Sequence, residues 1–274
     1  MKYRTHLRKM AAHLSSKGIA EYSLPLFSNL EKQGGVTINP LVDSYITIRF
    51  TGKINCIETG KDIKKTYGEG LCYDAWLTSP AAAPSVINPE LSRIHEGVAL
   101  RDFEWEMKYH NCDHIVYLSF TDKVKVGVTR SENRITRWID QGACAAIVLA
   151  ETPYRQLAGQ IEVFLKDFIA DKTSWQAMIK SDVQDTTELL KQKSRIENLM
   201  QEDLAMFLSD DDHVTHIIYP IARTPKKISS IKLDRTPLVA GTLAGIKGQY
   251  FIFDSGEVLN LRAHSGYEVE IEIQ

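Results

Sequence analysis

Cysteine is scarce in this chain. There are four in 274 residues, Cys56, Cys72, Cys112 and Cys144. They are spread too widely for the disulfide framework of a small secreted domain. Long apolar runs are missing too, so no membrane span and no membrane partner are expected. The opening MKYRTHLRKMAAHLSS lacks the apolar core of a secretory signal, which makes the cytoplasm the expected location. An excess of one charge is also lacking: 33 Lys and Arg face 35 Asp and Glu, for a net charge of -2. This excludes a uniformly basic nucleic-acid coat, and any such role must rest on a local patch. No internal repeat or low-complexity tract is present. What remains is an ordinary globular composition, 43% hydrophobic and 25% charged, long enough for two or three small domains.

Five stretches follow one another. Residues 1–44 read as a mixed, partly helical lead-in. Residues 45–112 begin with an alternating strand, Tyr45 to Phe50, and continue as a loop-rich segment full of Gly, Pro, Ala and Ser. Residues 113–180 are the most regular part. Two strands at 114–120 and 123–129 form a hairpin. A helix starts near Ser131 or Glu132 and ends at Gly142. An apolar strand over 145–150 follows, then a helix from Tyr154 to Ala170 with Leu157, Ile161, Phe164, Leu165 and Phe168 as its core stripe. Residues 181–212 are a connector, whose charged amphipathic helix over 183–208 ends at Asp210-Asp211-Asp212. Consecutive Asp side chains diverge, so a solvated helix end is the reading preferred to a cation site. Residues 213–274 read as all-β and barrel-like, with turns at Lys247-Gly248, Ser255-Gly256 and Ser265-Gly266.

The candidate site lies in 113–180. On the first helix Arg134, Arg137 and Gln141 fall within a sector of ~60°, beside Trp138. Guanidinium forks suit phosphate oxygens, and an indole can hold a base or brace an arginine. The competing reading is a solvated face with Trp138 in the core. Arg130 precedes this helix. On the second helix Glu162 lies ~140° from Leu157, at the edge of the apolar stripe. There it could hold Mg²⁺ with several waters, or simply pair with a neighbour such as Arg155. Tyr117 is either a packed aromatic or a residue that activates or orients a water. Gly127, inside a strand, marks a close approach or a bulge.

The order of elements resembles the GIY-YIG nuclease core. Val116-Tyr117-Leu118 stands where that family has its first tripeptide, and Lys125-Val126-Gly127 where it has its second. The resemblance implies that Arg137, or Arg134, contacts the scissile phosphate and that Glu162 binds the metal. Tyr117 and Lys125 complete the catalytic set it implies. The first tripeptide lacks its Gly and the second its Tyr, Lys125 standing instead. The family's helix His is absent, with Trp138 and Gln141 in that region. Over roughly residues 45–274 the chain is also similar to a bacterial domain-of-unknown-function family, through KVGVTR, TRWIDQGA, LAGQIEVFLK and AGTLAGIKGQYFIFDSG. In that family the segment before the core resembles a zinc ribbon. Here its knuckles are broken: Thr59 stands three residues after Cys56, Ala75 three after Cys72, and Ser92 where a Cys is expected. Cys56, Cys72, Cys112 and His95 or His114 remain, and structural zinc wants four good ligands. The expected segment is therefore ribbon-like, without zinc, and held by packing.

Together these observations lead to an α+β expectation. A degenerate zinc-ribbon-like segment precedes a GIY-YIG-like small antiparallel sheet flanked by helices, and an all-β barrel-like domain follows. The expected function is nucleic-acid binding through Arg130, Arg134, Arg137, Trp138 and Gln141. If the chain is an enzyme, it is a Mg²⁺-dependent endonuclease, with catalysis impaired by the lost residues. A non-catalytic scaffold that binds a protein partner is the alternative. The oligomeric state is left open.

Overall fold

The computed structural model describes residues 1–169, 174–182 and 186–274. They fall into two units, Met1–Leu77 with Ile218–Gln274, and Thr78–Ile217. The first is organised by Tyr45–Asn55, a strand that starts with the alternation of Tyr45 to Phe50 and runs on through Thr51-Gly52-Lys53 rather than turning there. Its Ile46 and Ile48 point to the core and are buried. It pairs antiparallel with Tyr267–Ile273 on one side and with Leu238–Lys247 on the other. The sheet continues through Tyr250–Phe253 and Glu257–Asn260 to Ser229–Ile231, which runs parallel to its neighbour.

The sequence marks this region as barrel-like, but the sheet does not close among the described residues: its ends are Lys2–His6 and Ser229–Ile231. The turns at Lys247-Gly248 and Ser255-Gly256 do form hairpins, but the one at Ser265-Gly266 leads into a strand that pairs with Lys2–His6 and Tyr45–Asn55 instead, and closure depends on distant pairings that turn residues do not encode. The lead-in also differs from expectation, being β rather than partly helical. Lys2–His6 lies opposite Tyr267–Ile273 with Lys2 facing Glu272, Arg4 facing Glu270 and His6 facing Glu268. Ion pairs of 2.6 Å (Lys2–Glu272) and 2.9 Å (Arg4–Glu268) follow. The alternating positive charges are thus cross-strand partners, not a helical face. Ala11–Leu14, Ala20–Ser28 and Glu31–Thr37 make a separate three-stranded sheet.

Cys56 and Cys72 sit in facing turns of this unit. The Cys56 sulfur accepts from the backbone N–H of Thr59 (3.4 Å) and of Cys72 (3.2 Å), and the Cys72 sulfur from that of Ala75 (3.5 Å). Burial works against ionising Cys56, but hydrogen bonds from Thr59, Cys72 and Glu58 outweigh it and bring the thiol down to about 7. All four cysteines are free thiols.

The second unit holds a four-stranded antiparallel sheet in the order Val124–Arg130, His114–Phe120, Ala145–Thr152, Thr215–His216. Val116 and Leu118 pack with Ile147, Leu149, Ala158, Ile161 and Leu165, so Ile161, Phe164 and Leu165 of the predicted stripe cover the sheet, whereas Leu157 is buried outside this cluster and Phe168 lies beyond the helix and is exposed. The helix predicted to run to Ala170 stops at Leu165, and residues 166–169 turn away from it. Ala170 itself lies outside the described residues, and the helix predicted over 183–208 starts outside them as well. Within them it is two pieces, Thr187–Glu197 and Glu202–Ala205. Leu189 and Ile196 of the first piece join the same core. Beside them Lys193 is buried, its ammonium donating to the Asp211 carbonyl and pairing with the Asp212 carboxylate, both at 2.8 Å. The aspartate run is therefore not simply a solvated helix end, because it collects the chain's own cation. No helix among the described residues is long and apolar enough to cross a membrane.

Candidate functional site

The hairpin register sets Tyr117 directly opposite Gly127. With no side chain at 127, the Tyr117 ring folds across the neighbouring strand. A Cβ there would stand 2.5 Å from the phenol oxygen and 2.6 Å from Cζ. The Tyr117 ring is fully buried, edge-on to Trp138 at 5.9 Å. Its oxygen lies 2.8 Å from the Gln141 amide. A guanidinium can only donate, so the amide oxygen faces Arg137, whose Nε and Nη2 are 3.2 and 3.3 Å away, and the amide nitrogen donates to the phenol. Burial, more than any neighbour, holds the phenol above its ordinary pKa, so Tyr117 stays protonated at neutral pH.

Above this relay opens a cleft of about 670 Å³. Lys125, Arg130, Arg137 and Arg155 line it, with Glu162 as the one carboxylate among its lining residues. Gln141 and Gly127 also line it, and Trp105, Tyr109 and His110 bring an aromatic wall from a separate segment. Arg155 anchors the segment before the core, donating from Nε to the Ser85 carbonyl (2.7 Å) and from Nη2 to that of Val86 (2.8 Å). Burial brings its pKa down to about 10, Glu162 opposes this, and the guanidiniums of Arg137 and Arg130 add to it. It remains a cation at neutral pH, in a cluster whose positive charges outnumber the carboxylate. The approach of Ser85–Leu91 to this helix depends on Gly159, where a Cβ would meet the Glu90 backbone nitrogen at 2.2 Å. His110 is neutral here: burial, then Arg155, His114 and Arg130, lower it to about 3. His114, bonded to the Cys112 carbonyl at 2.7 Å, is lowered by burial to about 4.

The structure thus brings together Lys125, Arg130, Arg137, Gln141 and Glu162. It sets three sequence candidates apart. Tyr117 and Trp138 lie behind the cleft wall, and Trp138 is only 2% exposed, its ring covered by Tyr117, so it offers no face to a base. Arg134 is exposed and is not among the lining residues, because its side chain leaves the helix one turn before Arg137. Trp105, Tyr109 and His110 were missed from sequence, and Arg155 was named only as an ion-pair neighbour of Glu162, not as a residue of the site. Arg155 stands seven residues before Glu162, within ~20° on the helix, a signal that links the two. The wall comes from a segment whose local pattern says little.

Among the described residues no group of three or more His, Cys, Asp or Glu side chains is placed to hold a metal ion. Glu162 is the one carboxylate donor among the cleft's lining residues. That fits Mg²⁺ only in the mode where one carboxylate, waters and a substrate phosphate share it. No curated protein and no solved structure matches the chain. A family model does, over residues 43–269, more than half of its length. Its sheet, its cleft and the residues that line it therefore belong to a member of the family described as a protein of unknown function (DUF2797).

Proposed function

We propose that the Thr78–Ile217 unit is a nucleic-acid-binding module that grips the phosphodiester backbone in this cleft, on a GIY-YIG-like core whose cleavage chemistry is impaired. One observation carries the reading: four basic side chains converge with a single carboxylate in one cleft. The elements that present them come in the order hairpin, helix, strand, helix, with a Tyr facing a Gly across the hairpin. Guanidiniums recognise phosphate oxygens in pairs, and a partly desolvated cluster holds them more strongly than a surface patch. Arg137 takes the phosphate, held in orientation by the Gln141 amide, which Tyr117 positions from behind. Lys125 and Arg130 flank it. Glu162 would hold Mg²⁺ against the same phosphate, and the ion would supply charge neutralisation. The buried, protonated phenol is a poor proton acceptor for water, so binding outlasts catalysis. The facing turns at Cys56 and Cys72 support a second element of this reading, a zinc ribbon reduced to two sulfurs.

The test is binding of labelled single- and double-stranded DNA and RNA at low salt, with Mg²⁺ or Mn²⁺, for the wild type, Arg137→Ala and Glu162→Ala. Retention that weakens with salt, by about 0.7–0.9 in log affinity per log salt for each phosphate contact, is the expected result. Arg137→Ala then loses about tenfold in affinity. Cleavage that Glu162→Ala abolishes would show an intact nuclease instead. No retention at any salt would sink the reading and leave the protein-binding scaffold.

A further inference from the structure

The cleft has two chemically different walls. One is cationic, built from the hairpin and the two helices behind it. The other is aromatic and apolar, built from residues 86–110. In it Trp105 stands 4.7 Å from Tyr109 and 5.2 Å from His110, ring centroid to centroid. The walls meet where the Arg130 guanidinium lies 4.7 Å over the Tyr109 ring. The aromatic wall is rigidly mounted. Asp102 caps its helix by accepting from the Trp105 N–H at 2.7 Å. The buried Glu106 carboxylate accepts the backbone N–H groups of Leu100 (2.9 Å) and Arg101 (2.8 Å).

A cleft of about 670 Å³ belongs to the size class of small-molecule sites. A base pair stacked inside a duplex exposes only its edges and cannot enter it. An unpaired nucleotide can, and the cleft then meets both of its parts. Resting on the reading above, we propose that the cleft selects single-stranded nucleic acid, with a phosphate on Arg130, Arg137 and Arg155 and the adjoining base stacked on Trp105. Stacking on an indole is available to every base, so the preference is for strandedness and not for sequence.

Fluorescence anisotropy decides it, using a labelled mixed-sequence single strand and its blunt duplex, as DNA and as RNA, at low salt with EDTA so that nothing is cut. The expected result is single-strand binding about tenfold or more tighter than duplex binding. Trp105→Ala removes that margin and leaves duplex affinity unchanged, and Trp105→Phe, which keeps an aromatic face, retains most of it. Circular dichroism checks that each variant is folded. Equal affinity for both forms, or a Trp105→Ala loss shared equally by both, overturns the strand preference and leaves phosphate binding standing. Absence of binding to either form overturns both.

Discussion

At position 127 a single hydrogen decides whether the Tyr117 ring can lie where it does. The phenol is boxed in by Trp138 and Gln141, so a methyl at 127 has nothing flexible to displace. Gly127→Ala should destabilise the protein by about 1–3 kcal/mol, read from urea unfolding midpoints. The two buried imidazoles make a second prediction. The folded state lowers His110 to about 3 and His114 to about 4, from 6.5. The unfolded chain takes up both protons near pH 6.5, the folded chain only well below it. Stability is therefore full above that pH and falls as the pH drops, each group raising the unfolding constant by up to about tenfold per pH unit. Urea titrations near pH 7 and near pH 5 measure the loss, and His114→Asn should make it shallower. The residues legible in the sequence are those tied to the order of elements, Lys125, Arg137 and Glu162 among them. Helical angle puts Trp138 beside Arg137, but angle does not say which side is covered. Its burial depends on Tyr117, a strand away.

At the scale of elements, the hairpin and the two helices around the cleft follow their periodicity because each buries its stripe on the strand next to it. The 183–208 pattern runs on through Leu199 and Leu204, yet the helix there is interrupted between Glu197 and Glu202. Periodicity continues across such a break because both pieces pack on one sheet core, which Leu189, Ile196, Met200 and Leu204 all reach. Lys193 shows the limit of reading charge from sequence. On the helical pattern it is one more solvated lysine, and only the return of Asp211 and Asp212 makes it a buried tie. Lys193→Ala leaves the Asp211 carbonyl without its donor and opens a cavity, so a loss of about 2–4 kcal/mol is expected in equilibrium unfolding. The neighbouring Asp212→Ala, at an exposed carboxylate, should cost under about 1 kcal/mol.

For the whole molecule, the mixed α+β class could be read from alternating and helical patterns. The membership of the first unit could not. Its central strand finds its two long partners nearly two hundred or more positions away, and pairings of that separation leave no trace in a local window. The cleft unit, by contrast, is one continuous stretch with its own core. Residues 78–217 expressed alone should unfold cooperatively and, if the proposed function holds, bind nucleic acid as the full chain does. A non-cooperative melt by circular dichroism, or loss of affinity, would show that they depend on the rest.

The pairing of Lys2–His6 with Tyr267–Ile273 has a consequence for synthesis. A ribosome delivers residues in order. The first strand must wait, its edge open, until the strand at 267–273 has been made. The cleft unit is complete long before that. The nascent chain thus carries a finished cleft unit on an unfinished sheet, and the exposed edges of that sheet are where a chaperone would be needed.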